Sequence, residues 1–510
     1  MRSTAIVSAM TLLSRISGFI RDMIFARFFG ADSGTDAFFV AFKIPDFLRR
    51  LFAEGAFSQA FVPILSDYKE NGGRKALTEF VDRTAGTLAL TLFAVTSIGV
   101  FAAPVLIWIF APGFAWHGEG YEISVEMLRI TFPYLFFISS TAFASSLLNA
   151  FGRFAIPALT PMLLNICMIA AALWLAPRMD EPVLALAWGV FAAGVAQLAF
   201  QFPALHRLGL LPRLKLGFQD PGVRRIVGLM VPAIFGVSVT QINLLFDTMI
   251  ASFQVSGSVS WLYYSDRLVE FPLGLFGIAL ATVILPALSR NHAEDDAKSF
   301  SQSMDWGLRW VVLIALPATL GLFVLAEPVL AALFQNDEFS RNDVYMAGLS
   351  LKAYSLGLLA FMMIKVLVPG FSSRQDMKTP VLYGLYSILT KLVLNIGLVF
   401  LLAHAGLALA TSLAALLNAL LLLQKLLRDR IFVPLDGWLS FLARVLIANS
   451  AMDIVLYLSF YCTDWNASNA IERLVNLCIW ITAGAGVYGI TLVLSGLRMG
   501  HLGVRKATPS

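Results

Sequence analysis

RISGFIRDMIFARFFGADSGTDAFFVAFKIPDFLRRLFAEGAFSQAFVP, residues 15–63, is the stretch that decides the fold of this chain. Two mostly apolar segments of helix length flank the turn Gly30-Ala31-Asp32-Ser33-Gly34. Those segments carry six basic groups (Arg15, Arg21, Arg27, Lys43, Arg49, Arg50) and four acidic ones (Asp22, Asp36, Asp46, Glu54). An ionisable side chain in a membrane helix costs at least about 2.5 kcal/mol on insertion scales, so it faces a polar cavity or a partner rather than lipid. Ten such groups in one helical pair point to a water-filled cavity of net positive charge, lined by helices that cross a bilayer.

The rest of the chain supports the membrane reading. Of its 510 residues, 58% are hydrophobic and only 14% charged, and the mean hydropathy is +0.78. Apolar runs of helix length recur from end to end, the mark of an all-α polytopic membrane protein. The short alternating segments of a β-barrel are absent. The formal net charge of +5 matters less than which loops carry it, and nucleic-acid binding is not implied. No small-residue cleavage site follows the modest apolar run of Met1–Ser14, so no cleaved signal is expected. Cys167, Cys462 and Cys478 are scattered and the five His dispersed, which suggests neither a disulfide framework nor a metal site. Phosphate-loop, H-E-x-x-H and Gly-x-Ser-x-Gly patterns are missing, so neither ATP hydrolysis nor a familiar hydrolase site is written here. No cofactor is expected.

The hydropathy pattern predicts about fourteen spans, at 5–30, 36–65, 80–110, 125–149, 155–176, 183–204, 226–254, 260–288, 305–334, 345–370, 380–402, 405–424, 437–460 and 472–496. With the N-terminus inside, the inner loops hold nearly all the loop cations, from Lys69, Arg74 and Lys75 through Arg213, Lys215, Arg224 and Arg225 to Arg498, Arg505 and Lys506. The outer loops hold only Arg178 and Arg341. That asymmetry predicts both termini in the cytoplasm. A repeat is also expected. Asp22-Met-Ile-Phe-Ala returns as Asp247-Thr-Met-Ile-Ala, and Val62-Pro63-Ile-Leu-Ser returns as Leu285-Pro286-Ala-Leu-Ser. This suggests an N-terminal lobe over 1–215 (spans 1–6), a C-terminal lobe over 216–430 (spans 7–12), and two additional helices with a tail over 431–510.

The second half has its own charges: Asp247, and Asp266, Arg267 and Glu270 in span eight. Helical spacing sets Asp266 and Glu270 on one face beside Arg267, a cation caged by carboxylates. Further interior polar candidates are Arg309, Lys352, Lys365, Lys391, Asn165, Gln241, Asn243 and Asn395. For Lys43, Asp46, Arg49 and Arg50 a structural role and a functional one stay equally open, because pairs four apart neutralise each other and charges near a span end reach the headgroups. Arg15, Arg21 and Arg267 lie deeper and favour function. Arg suits a diphosphate: its planar fork donates two parallel hydrogen bonds and keeps its charge when desolvated.

Five segments carry a resemblance: Ser14–Asp22, Thr35–Pro45, Leu48–Pro63, Tyr263–Pro272 and Pro369–Pro380. They closely resemble the MurJ/MviN family, the lipid II flippases of the multidrug/oligosaccharidyl-lipid/polysaccharide exporter superfamily, and the likeness runs over essentially the whole chain. The resemblance implies a transporter rather than an enzyme, with fourteen helices in two six-helix lobes plus two extra. Its substrate would be lipid II, a polyprenyl diphosphate bearing a disaccharide and a pentapeptide, moved outward across the bacterial inner membrane for peptidoglycan synthesis. It further implies substrate-binding roles for Arg15, Arg21, Asp36, Arg49 and Arg267, while Lys43, Arg50 and Glu54 keep the family pattern. Asp22, Asp266 and Glu270 are supporting candidates. Membrane lipids are the expected surroundings, Na⁺ or H⁺ the candidate coupling ions, and a monomer the expected state. Two alternatives share the helix plan: a flippase for another polyprenyl-linked glycan, and a multidrug antiporter. An antiporter for cationic drugs calls for carboxylates where this chain has arginines. A membrane-embedded glycosyltransferase or phosphatase would need a base or metal carboxylates, and no established motif surrounds Asp36 or Glu270.

Overall fold

The computed structural model describes residues 2–51, 57–118, 120–294, 296–465 and 469–497, so the candidate Glu54 lies outside the described residues. The long helices are α1 (Arg2–Phe29), α2 (Ser33–Leu48), α3 (Ser58–Asn71), α4 (Gly73–Phe101), α5 (Tyr121–Ala150), α6 (Ala155–Arg178), α7 (Leu184–Leu208) and α8 (Pro221–Ala251). They continue as α9 (Ser258–Ala293), α10 (Ala297–Val324), α11 (Arg341–Ser372), α12 (Lys378–Leu402), α13 (His404–Arg428), α14 (Trp438–Cys462) and α15 (Ala470–Leu494). No β-strand occurs among the described residues. Eleven of these helices are long and apolar enough to cross a membrane; α1, α2, α3 and α8 make up the rest. α2 and α3 stand where one span is expected at 36–65, which gives fourteen passes in an all-α polytopic fold.

Helix boundaries differ from the hydropathy reading where polar residues extend a helix. α4 begins at Gly73, well before 80, because Gly73 at φ +70° reverses the chain directly after α3. Leu77, Phe80 and Val81 are already buried there, so the first turns of α4 are amphipathic rather than a loop. Lys69, Arg74 and Lys75 consequently sit on helix ends. The expected 80–110 span stops at Phe101, and the chain continues as the short helices Ala103–Phe110 and Pro112–His117, each with proline in its first turn. That is a position where its missing N–H costs nothing. Pro272 is followed by a π-helical turn at Leu273–Gly277 inside α9.

Two compact units divide the chain, Met1–Ser260 and Trp261–Ser510. In the first, Phe57, Phe61, Phe80 and Phe143 stack with Leu65, Leu147 and Leu205 in a fully packed cluster. The connection from α7 to α8 is pinned along α4: Asp82 accepts the Arg213 N–H at 2.8 Å and pairs with Lys215 at 2.9 Å. Thr87 Oγ1 accepts the Gly217 N–H at 2.9 Å. Lys215 lies so close to Gly86 that a Cβ there would overlap its backbone. In the second unit the connection from α13 to α14 is tied to α10 in a similar way. Asp305 accepts the Leu435 N–H at 3.0 Å and the Trp438 indole N–H at 2.6 Å, and pairs with Arg309 at 2.6 Å. Ser301 adds a reciprocal pair of bonds with the backbone of Val433. Asp82 and Asp305 stand 223 residues apart in the chain, the same separation as Pro63 and Pro286.

A charged candidate site on the first two passes

Helical spacing builds the α1 half of the site. Ser14, Ser17, Gly18 and Arg21 fall on one face, at intervals of three and four, and small residues there let another helix approach closely. That helix is α6. Arg21 is only 6% exposed and Asp22 2%. Arg21 donates from Nε (2.9 Å) and Nη2 (2.6 Å) to the same oxygen, Asp22 Oδ1. Its Nη1 donates to Asn165 Oδ1 at 3.0 Å, and the guanidinium carbon lies 5.6 Å from the centre of the Phe25 ring. Asn165 in turn donates to Ser17 Oγ (2.8 Å) and to the Ser14 carbonyl (3.1 Å). A buried guanidinium is tolerated only when paired and hydrogen-bonded, and here both conditions hold. Arg15 and Arg27 lie on exposed parts of α1.

α2 starts at a local cap, Asp32 accepting from the Thr35 N–H at 2.8 Å, which fixes the turn after α1. One turn in, Asp36 is 2% exposed. Its Oδ2 accepts the Gly257 N–H at 2.8 Å, while Oδ1 accepts the Ser260 N–H at 2.8 Å and the Ser260 hydroxyl at 2.5 Å. A carboxylate thus sits on the first turn of α9, where unpaired N–H groups and the helix dipole favour negative charge. At the other end of α2, Asp46 bridges two arginines: Arg49 at 2.6 Å and Arg50 at 3.0 Å. Lys43 is half-buried on the same helix. In the second unit Arg267 donates to Glu270 at 2.7 Å and lies over the Tyr263 ring at 5.0 Å, while Asp266 is exposed.

Other interior candidates resolve into local pairs. Arg309 belongs to the Asp305 tie, and Lys352 pairs with Glu327 at 2.7 Å. Lys391 and Asn395 are buried on α12; the side chains of Gln241 and Asn243 lie outside the described set. Among the described residues, no group of His, Cys, Asp and Glu could hold a metal ion. The sequence reading missed the Ser260 partner of Asp36 and the two tying carboxylates, Asp82 and Asp305. For Ser14, Ser17, Asn165 and Arg21 a signal exists: the seryl pair recurs at helical spacing with Arg21 on α1.

A family model described as "Lipid II flippase MurJ" matches residues 25–476 of this chain. The chain belongs to the MurJ family. It is 46% identical to a "Probable lipid II flippase MurJ" of Vibrio cholerae, with 98% of this chain and 97% of that one covered. It is 40% identical to a "Lipid II flippase MurJ" of Burkholderia cenocepacia, with 98% of each covered. Among solved structures it is similar to a lipid II flippase MurJ in an inward closed conformation: TM-score 0.79, 26% identity, 96% of this chain and 98% of that one covered. An inward-facing multidrug resistance MATE family transporter of the MOP superfamily shares the fold alone, at TM-score 0.67 and 12% identity over 84% of this chain and 98% of that one.

Proposed function

We infer that this MurJ family member is a lipid II flippase, a transporter that carries the polyprenyl-diphosphate-linked peptidoglycan precursor from the cytoplasmic to the outer leaflet without making or breaking a bond. The observation that carries this reading is Arg21, a guanidinium held inside a membrane-crossing helix by Asp22 and Asn165. A diphosphate is costly to take through hydrocarbon, and a cationic path lowers that barrier while the polyprenyl tail stays in lipid. Arg15, Arg21, Arg49 and Arg267 are proposed to meet the phosphates, with Asp36 as the acidic partner. Asp22, Glu54, Asp266 and Glu270 are proposed to balance their charge, while Lys43 and Arg50 add to the cationic lining.

Transport is proposed to proceed by alternating access between lobes over 1–215 and 216–430, with 431–510 added. The 223-residue spacing shared by Pro63/Pro286 and by the Asp82 and Asp305 ties supports that division. The loop-charge asymmetry supports both termini in the cytoplasm, and membership of the MurJ family supports the bacterial inner membrane. The working unit is taken as a monomer. Membrane potential, worth about 2.3 kcal/mol per charge per 100 mV, and a Na⁺ or H⁺ gradient are the candidate energy sources. The test is a conditional depletion strain assayed for the leaflet that holds lipid II. Accumulation in the inner leaflet is expected; an unchanged distribution overturns the reading.

A further inference from the structure

The amide of Asn165 has only one orientation that satisfies its neighbours. Arg21 can only donate and the Ser14 carbonyl can only accept, so Oδ1 must face Arg21 Nη1 (3.0 Å) and Nδ2 must face Ser14 O (3.1 Å) and Ser17 Oγ (2.8 Å). Ser17 Oγ also donates to Ser14 O at 2.9 Å, so the α1 side of the tie is fixed as well. Asn165 is 6% exposed and joins α6 to α1 at a buried arginine, itself 6% exposed.

The two edges of the Arg21 guanidinium are held differently. Asp22 takes Nε and Nη2, but both bonds converge on a single carboxylate oxygen. A phosphate offers that edge two oxygens side by side, the stronger two-bond geometry. Asn165 holds Nη1 on the far side and is neutral, so it contributes no charge that would compete with an incoming anion.

We propose that Asn165 is a positioning residue: it holds the Arg21 guanidinium in place by Nη1 while Asp22 yields the Nε/Nη2 edge to the diphosphate of the substrate. This rests on the reading of Arg21 as a diphosphate ligand. Without Asn165 the guanidinium loses its Nη1 hold, is less well placed once Asp22 yields, and binds phosphate less well; with Asp at this position it is held by two carboxylates and resists the exchange.

The experiment is lipid II binding by the full-length protein in lipid nanodiscs, for wild type, Asn165→Leu, Asn165→Asp, Arg21→Ala and Arg21→Ala/Asn165→Leu, with thermal midpoints measured alongside. Asn165→Leu should weaken binding roughly tenfold, the equivalent of one charge-assisted hydrogen bond. The same change added to Arg21→Ala should have no further effect, because both then remove one coupled interaction. Asn165→Asp gives up the Nδ2 bond to Ser14 O but sets a second carboxylate on Arg21, so it should lose more affinity than Asn165→Leu, whereas a merely structural tie predicts losses that follow the thermal midpoints. Equal losses from Asn165→Leu in both backgrounds, or wild-type binding in both Asn165 variants beside a weakened Arg21→Ala, overturn the positioning role alone. Wild-type binding by Arg21→Ala overturns the reading of Arg21 itself, and the proposal with it.

Discussion

Asp36 holds Ser260 twice through one oxygen, accepting its backbone N–H at 2.8 Å and its hydroxyl at 2.5 Å, and reaches Gly257 with the other. The two backbone bonds satisfy donors that a helix start leaves unpaired, so the carboxylate matters more than the hydroxyl. Asp36→Ala should cost roughly 1.5–3 kcal/mol, whereas Ser260→Ala, which keeps both backbone bonds, should cost about 1 kcal/mol or less. Thermal unfolding of the two variants in one detergent checks the order. A Ser260→Ala protein less stable than Asp36→Ala contradicts it.

The tying carboxylates should differ from one another. Asp305 is 1% exposed and serves Arg309, Trp438 and the Leu435 backbone together, while Lys215, the ionic partner of Asp82, is half-exposed and can turn to water. Breaking a buried pair by removing one partner costs about 3–5 kcal/mol, against at most about 1 kcal/mol for an exposed pair. Asp305→Ala should therefore lower the thermal midpoint more than Asp82→Ala, whose loss is chiefly the Arg213 backbone bond. An equal or reversed order rejects this.

Loop charge makes a topological prediction. A reporter fused after Arg428 should be cytoplasmic, and one inserted near His117 periplasmic. A periplasmic signal at Arg428 is incompatible with fourteen passes and an inside N-terminus.

Motion can be tested at two outer turns. A reducible crosslink between residues 30–34 and 254–258 should stop transport, and reduction should restore it, if those turns separate during alternating access. Undiminished transport in a fully crosslinked sample removes the rocking model.

How far the fold is legible in sequence depends on the range of the interaction. Pass number follows from apolar length and loop polarity, both local sums, so fourteen passes emerge even though the charged helix α1 falls short of the apolarity of a simple span. The Asp46 pairs with Arg49 and Arg50 are equally visible, because three and four residues are helical neighbours. Boundaries such as Gly73 are harder, since an amphipathic first turn resembles a polar loop until its buried face is known. Least visible are partners far apart in the chain: Arg21 with Asn165, Asp36 with Ser260, Asp82 with Arg213. Residue type marks these positions as polar and interior, but only the packing of α6 on α1 tells which amide meets which guanidinium.

The central proposal is that arginines inside the membrane helices bind the substrate's diphosphate. It is tested most directly by measuring lipid II binding and flipping for Ala and Lys variants of Arg15, Arg21 and Arg267 at equal membrane abundance. Loss of one charge-assisted contact of about 1.5–3 kcal/mol should lower flipping tenfold or more in each Ala variant. Lys should restore it poorly, because an ammonium lacks the two-pronged fork. Wild-type binding and flipping in all three Ala variants would contradict the proposal and leave these arginines as structural ion pairs.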